Sequence, residues 1–454
     1  MSRSRAVPSG RLARLAGLGQ LAGGVVGGAL AEGVRRLAQG QRPSLADVLL
    51  TPANALRTAD QLARLRGAAM KLGQMLSLDA GDLLPPELAS ILARLREAGD
   101  TMPPGQLNRV LTAEWGRDWR QRFARFDPRP LAAASIGQVH RAALHDGREV
   151  AVKVQYPGVA TSINADIDNV ATLLHLSGLL PDALDIAPLL AEAKLQLHEE
   201  ADYLREAEQM RRYGERLAGD ARFIVPSPVS ELSGKHVLVM DYMAGAPIET
   251  LAQASQAERN AAMAALFDLV LKEIFVFDAM QTDPNFANYR WQAETGRIVL
   301  LDFGAARAVL PETRSAYGRM FAAGLAGDRD ALIDALVEGG FVGQAMSRKH
   351  RPALAAQVDF MIGHLNRPGL FDFADRSFVG HMRDLGDGIA RDRATWHVPP
   401  APTLFVQRKV SGTALLAVRL KAQLLLRDMV EAALGSVASG AGAASPELSL
   451  SPGN

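Results

Sequence analysis

Apolar positions in the first quarter of the chain fall at helical intervals. Leu62, Leu65, Ala69, Leu72 and Leu76 form one stripe and predict a helix over 54–78, with Gly67, Lys71 and Gln74 together on a different strip. That strip reads as a solvated lysine on an amphipathic helix, or as a place where small residues let another surface approach. A second helix opens at Pro85-Pro86-Glu87, with proline early and an acid in the first turn, and carries Leu88, Ile91, Leu92 and Leu95. Thr101-Met102-Pro103-Pro104-Gly105 breaks it as a linker.

From Leu131 the period changes. Ala132–Ala142 and Val150–Val154 flank an Asp146-Gly147 turn and predict a β-hairpin that ends in Val150-Ala151-Val152-Lys153. A long helix is expected at about 187–217, with Leu190, Leu197 and Leu204 on one face and Glu199, Asp202 and Glu206 gathered on another. Like charges one turn apart cost a few tenths of a kcal/mol per pair, about 0.2–0.5. A buried cation or metal would offset this, and Lys153 is the obvious cation; local neutralisation by Arg205, Arg211 and Arg212 is the plainer alternative. His236–Gly245 reads as a strand leaving into a hinge, and a helix over 261–280 leads to Asp283. The pattern from Pro311 to about Val430 is helical, and the tail from Gly435 is rich in Gly, Ala, Ser and Pro.

Composition narrows the chemistry. Fifty basic against 49 acidic residues leave no bulk electrostatic case for nucleic acid. The absence of cysteine excludes disulfides, thiolate chemistry and Cys-ligated zinc. Arg3, Arg5, Arg11 and Arg14 precede an apolar run from Leu15 to Ala31 that glycines interrupt, short of the about 20 strongly apolar residues a span needs. The spacings Gly19-x3-Gly23 and Gly24-x3-Gly28 suit a small-residue helix that touches lipid or a partner helix, with a loosely ordered leader as the alternative.

The most chemical stretch is Gln281-Thr282-Asp283-Pro284-Asn285-Phe286-Ala287-Asn288, followed by Asp302-Phe303-Gly304 at the end of a short apolar run, Ile298–Leu301. Protein-kinase-like enzymes use an Asp-x4-Asn and a later Asp-Phe-Gly at this offset to transfer a phosphoryl group. Hard oxygen donors suit Mg2+, which borrows the rest of its coordination from substrate phosphates. Gly137-x-Val139-x-x-Ala142 and Val150–Lys153 fit the corresponding kinase hairpin, but alanines stand where its loop has glycines. Each added Cβ restricts how closely backbone amides approach phosphate, so this is a nucleotide loop of altered geometry or no nucleotide loop.

Together these pieces resemble the UbiB/AarF family of atypical kinases, in the branch with the mitochondrial coenzyme-Q-biosynthesis members. The matching residues are Lys71-Leu72-Gly73-Gln74, the Ala-rich loop Ala132–Val139, Lys153, Glu200-Ala201-Asp202, Tyr203-Leu204-Arg205-Glu206, Gln281-Thr282-Asp283-Pro284-Asn285 with Asn288, and Asp302-Phe303-Gly304. The likeness covers roughly 60–310, with seven motifs in the family's order. It implies an α+β, protein-kinase-like two-lobed fold with an all-helical N-terminal extension and a large helical C-lobe. The boundaries expected are a basic Gly/Ala-rich leader (1–50), the extension (51–125), an N-lobe with a helical insertion (126–245), a C-lobe (246–434) and a disordered tail (435–454).

The resemblance further implies ATP and Mg2+. Lys153 would pair with Glu206 and hold phosphates, Asp283 would take the base position, and Asn288 and Asp302 would hold the metal. Ala132, Ala133, Ala134, Ser135, Gly137, Val139, Met240 and Met243 would line the nucleotide, and Lys71, Gln74, Glu200 and Asp202 would act as regulatory residues. Thr282 stands where many kinases carry an arginine, and no Ala-Pro-Glu follows Asp302, so the platform for a protein substrate is not recognisable. The segment also reads Gln-Thr-Asp-Pro-Asn where the related bacterial branch has His-Ala-Asp-Pro-His. The function implied is an ATPase or small-molecule kinase supporting ubiquinone biosynthesis, cytoplasmic and peripheral at the inner face of the cytoplasmic membrane. Its expected partners are a lipid or quinone precursor, an anionic membrane surface and quinone-biosynthesis proteins. The alternatives are a nucleotide-gated lipid-binding scaffold and a protein kinase. The basic helix around Arg408, Lys409, Arg419, Lys421 and Arg427 reads as a core helix with a solvated edge.

Overall fold

The structure, a computed structural model, describes residues 101–176 and 187–438, apart from 393, 394, 396 and 398. The helix expected over 54–78, with Lys71 and Gln74, the helix from Pro85 and the basic leader lie outside the described residues. The chain forms two compact units: one ends at Gly245 and regains Val299–Ala305, the other holds Ala246–Ile298 and the residues from Ala306 on.

In the first unit, α1 (Pro104–Trp115) starts with proline in its first turn, where the missing N–H costs nothing. The stretch Thr101–Gly105 is not a free linker. Met102 is buried, its amide donates to Gln138 Oε1 at 2.7 Å, and Pro104 already belongs to the helix. Strands β1 (Arg125–Phe126), β2 (Ala132–Ala133), β3 (Gly137–Ala143) and β4 (Glu149–Gln155) follow. Then come α2 (Val159–Leu176), α3 (Ala187–Glu200), α4 (Tyr203–Leu217), β5 (Phe223–Ile224) and β6 (Val237–Asp241). Strands β1, β3, β4 and β6 lie side by side, and β2 pairs with β3. The β3–β4 turn needs a left-handed residue, and Gly147 supplies it at φ +88° while Asp146 Oδ1 accepts the Arg148 amide at 2.9 Å.

Alternation along β4 organises this unit. Val150, Val152 and Val154 face one way into a core with Leu107, Leu111, Trp119, Phe123, Val237 and Val239. Lys153 and Gln155 therefore face the other way, where Gln155 donates to the Ala201 carbonyl at 2.6 Å. The helix expected over 187–217 is in fact two helices. It breaks at Ala201-Asp202, where Asp202 Oδ1 accepts the Arg205 amide at 3.0 Å and caps α4. Leu197 is buried, but Leu204, read as its partner on the apolar stripe, is exposed beyond the break.

The second unit opens with β7 (Ala246–Pro247) and the long α5 (Gln256–Phe275), begun by a reciprocal Ser255/Glu258 capping box. The helix expected to reach Met280 thus stops early, and Ala279–Gln281 is strand β8 instead. Strands β9 (Tyr289–Gln292), β10 (Arg297–Leu300) and β11 (Ala306–Ala308) follow; β9 pairs β7, and β11 pairs β8. Helices α6 (Pro311–Ala326), α7 (Arg329–Glu338), α8 (Gln344–Lys349), α9 (Arg351–Leu365), α10 (Ser377–Arg391), α11 (Ala401–Leu420) and α12 (Leu426–Ala438) complete it. The short strands β12 (Phe371–Asp372) and β13 (Gln423–Leu424) pair with each other. Its core packs Val270, Ile274 and Phe275 of α5 against Met280, Tyr317 and Val406. Among the described residues no helix is long and apolar enough to cross a membrane.

Candidate functional site

Alternation delivers Lys153 to the face of the sheet opposite the apolar core, and α4 meets it there with Glu206. The lysine Nζ donates to both Glu206 oxygens, at 2.8 and 2.9 Å, and lies 3.4 Å from Asp302 Oδ2. The Glu206 side chain is fully buried, while that of Asp302 keeps 30% exposure. For Lys153, burial is the largest influence and disfavours the charge, but Asp302 and Glu206 together outweigh it and hold the ammonium well above the ordinary lysine range. One cation facing two carboxylates leaves an excess of negative charge. Burial, reinforced by Asp302 and opposed by Lys153, accordingly pushes Glu206 up to about 7.

Helix α4 also fastens the Asp302-Phe303-Gly304 turn. Arg205 Nη1 donates to the Gly304 carbonyl at 2.8 Å, and buried Phe303 stacks obliquely on Tyr213 with centroids 4.9 Å apart. Within the turn, Asp302 Oδ1 accepts the Gly304 amide at 3.0 Å, which leaves Oδ2 turned toward Lys153. The Lys153 Nζ also stands 5.1 Å from the centre of the Tyr203 ring.

The Ala-rich segment is a tight hairpin. Ala132 and Ala133 pair with Val139 and Gln138, and the amides of Leu131 and Ala134 donate to the carbonyls of Val139 and Gly137 at 2.7 and 2.8 Å. Those two N–H groups are turned into the hairpin and are not offered to a phosphate. Ser135 at its tip donates to Glu200 Oε2 at 2.9 Å, so an acid of the α3 terminus holds the loop. Gly137 has a steric role, since a Cβ there would lie 2.4 Å from the Val154 carbonyl oxygen and 2.8 Å from the Tyr203 hydroxyl. Met240 is the penultimate residue of β6, opposite Ala151 of β4, and Met243 lies just beyond the strand, half-buried. Asp202, grouped with Glu200 from the sequence, is occupied as the cap of α4.

In the second unit, β8 ends at Gln281 and carries the loop to Asp283. Asp283 Oδ1 accepts the Asn285 amide at 3.3 Å, and Asn285 Oδ1 accepts the Ala287 amide at 3.1 Å. Asn288 Nδ2 reaches back to the Asp283 carbonyl at 3.5 Å, so both side chains belong to one short folded loop.

Two features suit a phosphorylated nucleotide and its cation. The carboxylate oxygens of Asp302 are hard donors, the kind Mg2+ takes. The Tyr203 hydroxyl is buried beside Gly137 without a hydrogen-bond partner among the described residues, a state that costs about 1–3 kcal/mol unless a ligand or water meets it. In the sequence, Tyr203 stands only as part of a matching run and Arg205 only as a local neutraliser of nearby acids, and neither has a place in the site. Their signal was position alone, on the helix of Glu206.

The ABC1 atypical kinase-like domain matches residues 94–336, more than half of the chain. The chain belongs to this family. A mitochondrial atypical kinase coq-8 of Caenorhabditis elegans is 38% identical over 93% of the chain, which spans 57% of that protein's length. The mitochondrial atypical kinase COQ8B of Rattus norvegicus is 38% identical over 95% of the chain and 81% of its own length. These relatives place the chain in the COQ8 branch of the ABC1/AarF family. The Rv3197–erythromycin complex from Mycobacterium tuberculosis shares the fold, with a TM-score of 0.58 and 25% identity over 83% of this chain and 95% of that one. The kinase-like α+β fold expected from the motifs is the fold found.

Proposed function

We propose that this protein is an Mg-ATP-dependent ATPase or small-molecule kinase that supports ubiquinone biosynthesis. The observation that carries the reading is the buried contact of Lys153 with Glu206, with the partly exposed Asp302 carboxylate beside it. Lys153 holds a fixed positive charge for the phosphates, and Glu206 keeps its ammonium in place. The Tyr203 hydroxyl donates to a phosphate oxygen or to a water on it. Met240 and Met243 border the adenine, and the Ala132–Val139 hairpin lies over the phosphates. Asp283 orients the attacking hydroxyl or water and takes its proton. Asn288 and Asp302 are the metal ligands. Mg2+, when bound, neutralises charge on the transferred group. Lys71, Gln74, Glu200 and Asp202 are the regulatory set, and a lipid or quinone precursor, an anionic membrane surface and quinone-biosynthesis proteins are the partners. In this reading the protein works at the inner face of a cytoplasmic membrane.

The test is ATP turnover by the purified protein, with and without liposomes and simple phenols that resemble quinone precursors. Turnover that rises with either additive and disappears in Asp302→Asn, while nucleotide binding persists, supports the proposal. Absence of any turnover or response under all conditions overturns it.

A further inference from the structure

Helix α11 carries an ammonium into the interior of the second unit. Lys409 is only 2% exposed, and its Nζ donates to Gln281 Oε1 at 3.1 Å and to the Tyr289 hydroxyl at 2.9 Å. Gln281 closes β8, two residues before Asp283, and Tyr289 opens β9 immediately after Asn288. The lysine is thus bonded to both ends of the loop that holds the candidate base. Fully buried Glu273 of α5 completes the arrangement: its Oε1 accepts the Gln281 amide at 2.9 Å, and its Oε2 lies 3.8 Å from Lys409 Nζ. Backbone and side chain of Gln281 are therefore held by different helices.

One turn further along α11, Gly412 abuts the loop itself. A Cβ at that position would lie 2.2 Å from Pro284 Cβ, so only glycine allows this closeness of helix and loop. Burial weighs most on Lys409 and disfavours its charge, but Glu273, Tyr289 and Asp283 overcome this and raise the ammonium above the ordinary lysine range. A lysine is a costly choice for a purely apolar packing role. Two directed bonds from one buried ammonium to the ends of a loop fix a geometry that an apolar side chain would not.

We propose that Lys409 is a positioning residue that braces both ends of the Gln281–Tyr289 loop and so fixes the place of Asp283 in the reaction. This rests on the role given above to Asp283.

Lys409→Met alone would leave Glu273 as a buried carboxylate without its cation and destabilise the fold for that reason. The decisive variant is therefore the double one, Lys409→Met with Glu273→Gln, which removes the charge pair together and keeps an acceptor for the Gln281 amide. Its thermal midpoint should recover toward wild type. Its kcat for nucleotide turnover should remain at least about tenfold down, with KM for ATP within about twofold, as expected when only the transition-state geometry is lost. Recovery of kcat along with stability would make Lys409 merely structural and overturn the proposal, as would a loss confined to KM. If the wild-type protein turns over no nucleotide, the proposed function fails by itself. The brace is then decided by amide hydrogen exchange across Thr282–Asn288: faster exchange in the double variant upholds it, and unchanged exchange overturns it.

Discussion

The buried contact of Lys153 with Glu206 and Asp302 is sensitive to pH. The folded pKa of Glu206, about 7, exceeds the ordinary 4.5, so the folded state binds the proton more tightly. Its contribution to stability is complete below the lower value and is lost as pH rises through the upper one. The wild-type thermal midpoint should fall between about pH 5 and about pH 8 by more than that of Glu206→Gln, measured by differential scanning fluorimetry. Gly137→Ala tests a close approach: with Val154 O 2.4 Å from the new Cβ, urea titration should show a loss of about 1–3 kcal/mol. Tyr203→Phe should keep the fold and weaken ATP binding about three- to tenfold in calorimetry, one neutral hydrogen bond lost. The position of Lys153 was legible because alternation along a strand assigns each side chain a face. The burial of Lys409 was not, because a charged residue is buried only where distant partners such as Glu273 and Tyr289 meet it, and a helix pattern holds no record of them.

At the scale of elements, the break between α3 and α4 matters most. It lets Asp202 cap α4 while Glu200, two residues earlier, reaches Ser135. Asp202→Ala should cost about 0.5–2 kcal/mol of stability, read by denaturant titration, as loss of an N-cap does. Apolar spacing ran smoothly through this point because Leu204 continues the stripe of Leu190 and Leu197, although it is exposed. Periodicity reports which residues can share a face and is silent about a helix that stops and restarts. The β3–β4 hairpin, by contrast, was legible from Asp146-Gly147, since few residues tolerate the turn's left-handed backbone. Strand β8 was hidden for a different reason: three residues are too few to display a period, and its pairing with Ala306–Ala308 is decided far along the chain.

For the whole molecule, the kinase-like fold could be inferred because its motifs fall in a fixed order over a long stretch, which isolated triplets could not have supplied. Full-length protein should float with anionic liposomes, and removing residues 1–40 should weaken this in a sucrose-gradient assay. If the truncated chain floats equally well, the basic leader is not the anchor. The edge of α11 and α12 with Arg419, Lys421 and Arg427 would then be examined, since Arg408 and Lys409 are buried and unavailable to lipid.

Strand β4 also limits how this gene can drift. Its valines and its lysine occupy alternate places, so inserting or deleting a single codon inside the strand would turn Lys153 into the apolar interior and bring valine out toward Glu206. Length changes are tolerated only where no face is being counted, as at the Asp146-Gly147 bend. Among distant descendants of this chain, indels should therefore collect at that bend and be missing from the seven residues that follow it in the strand.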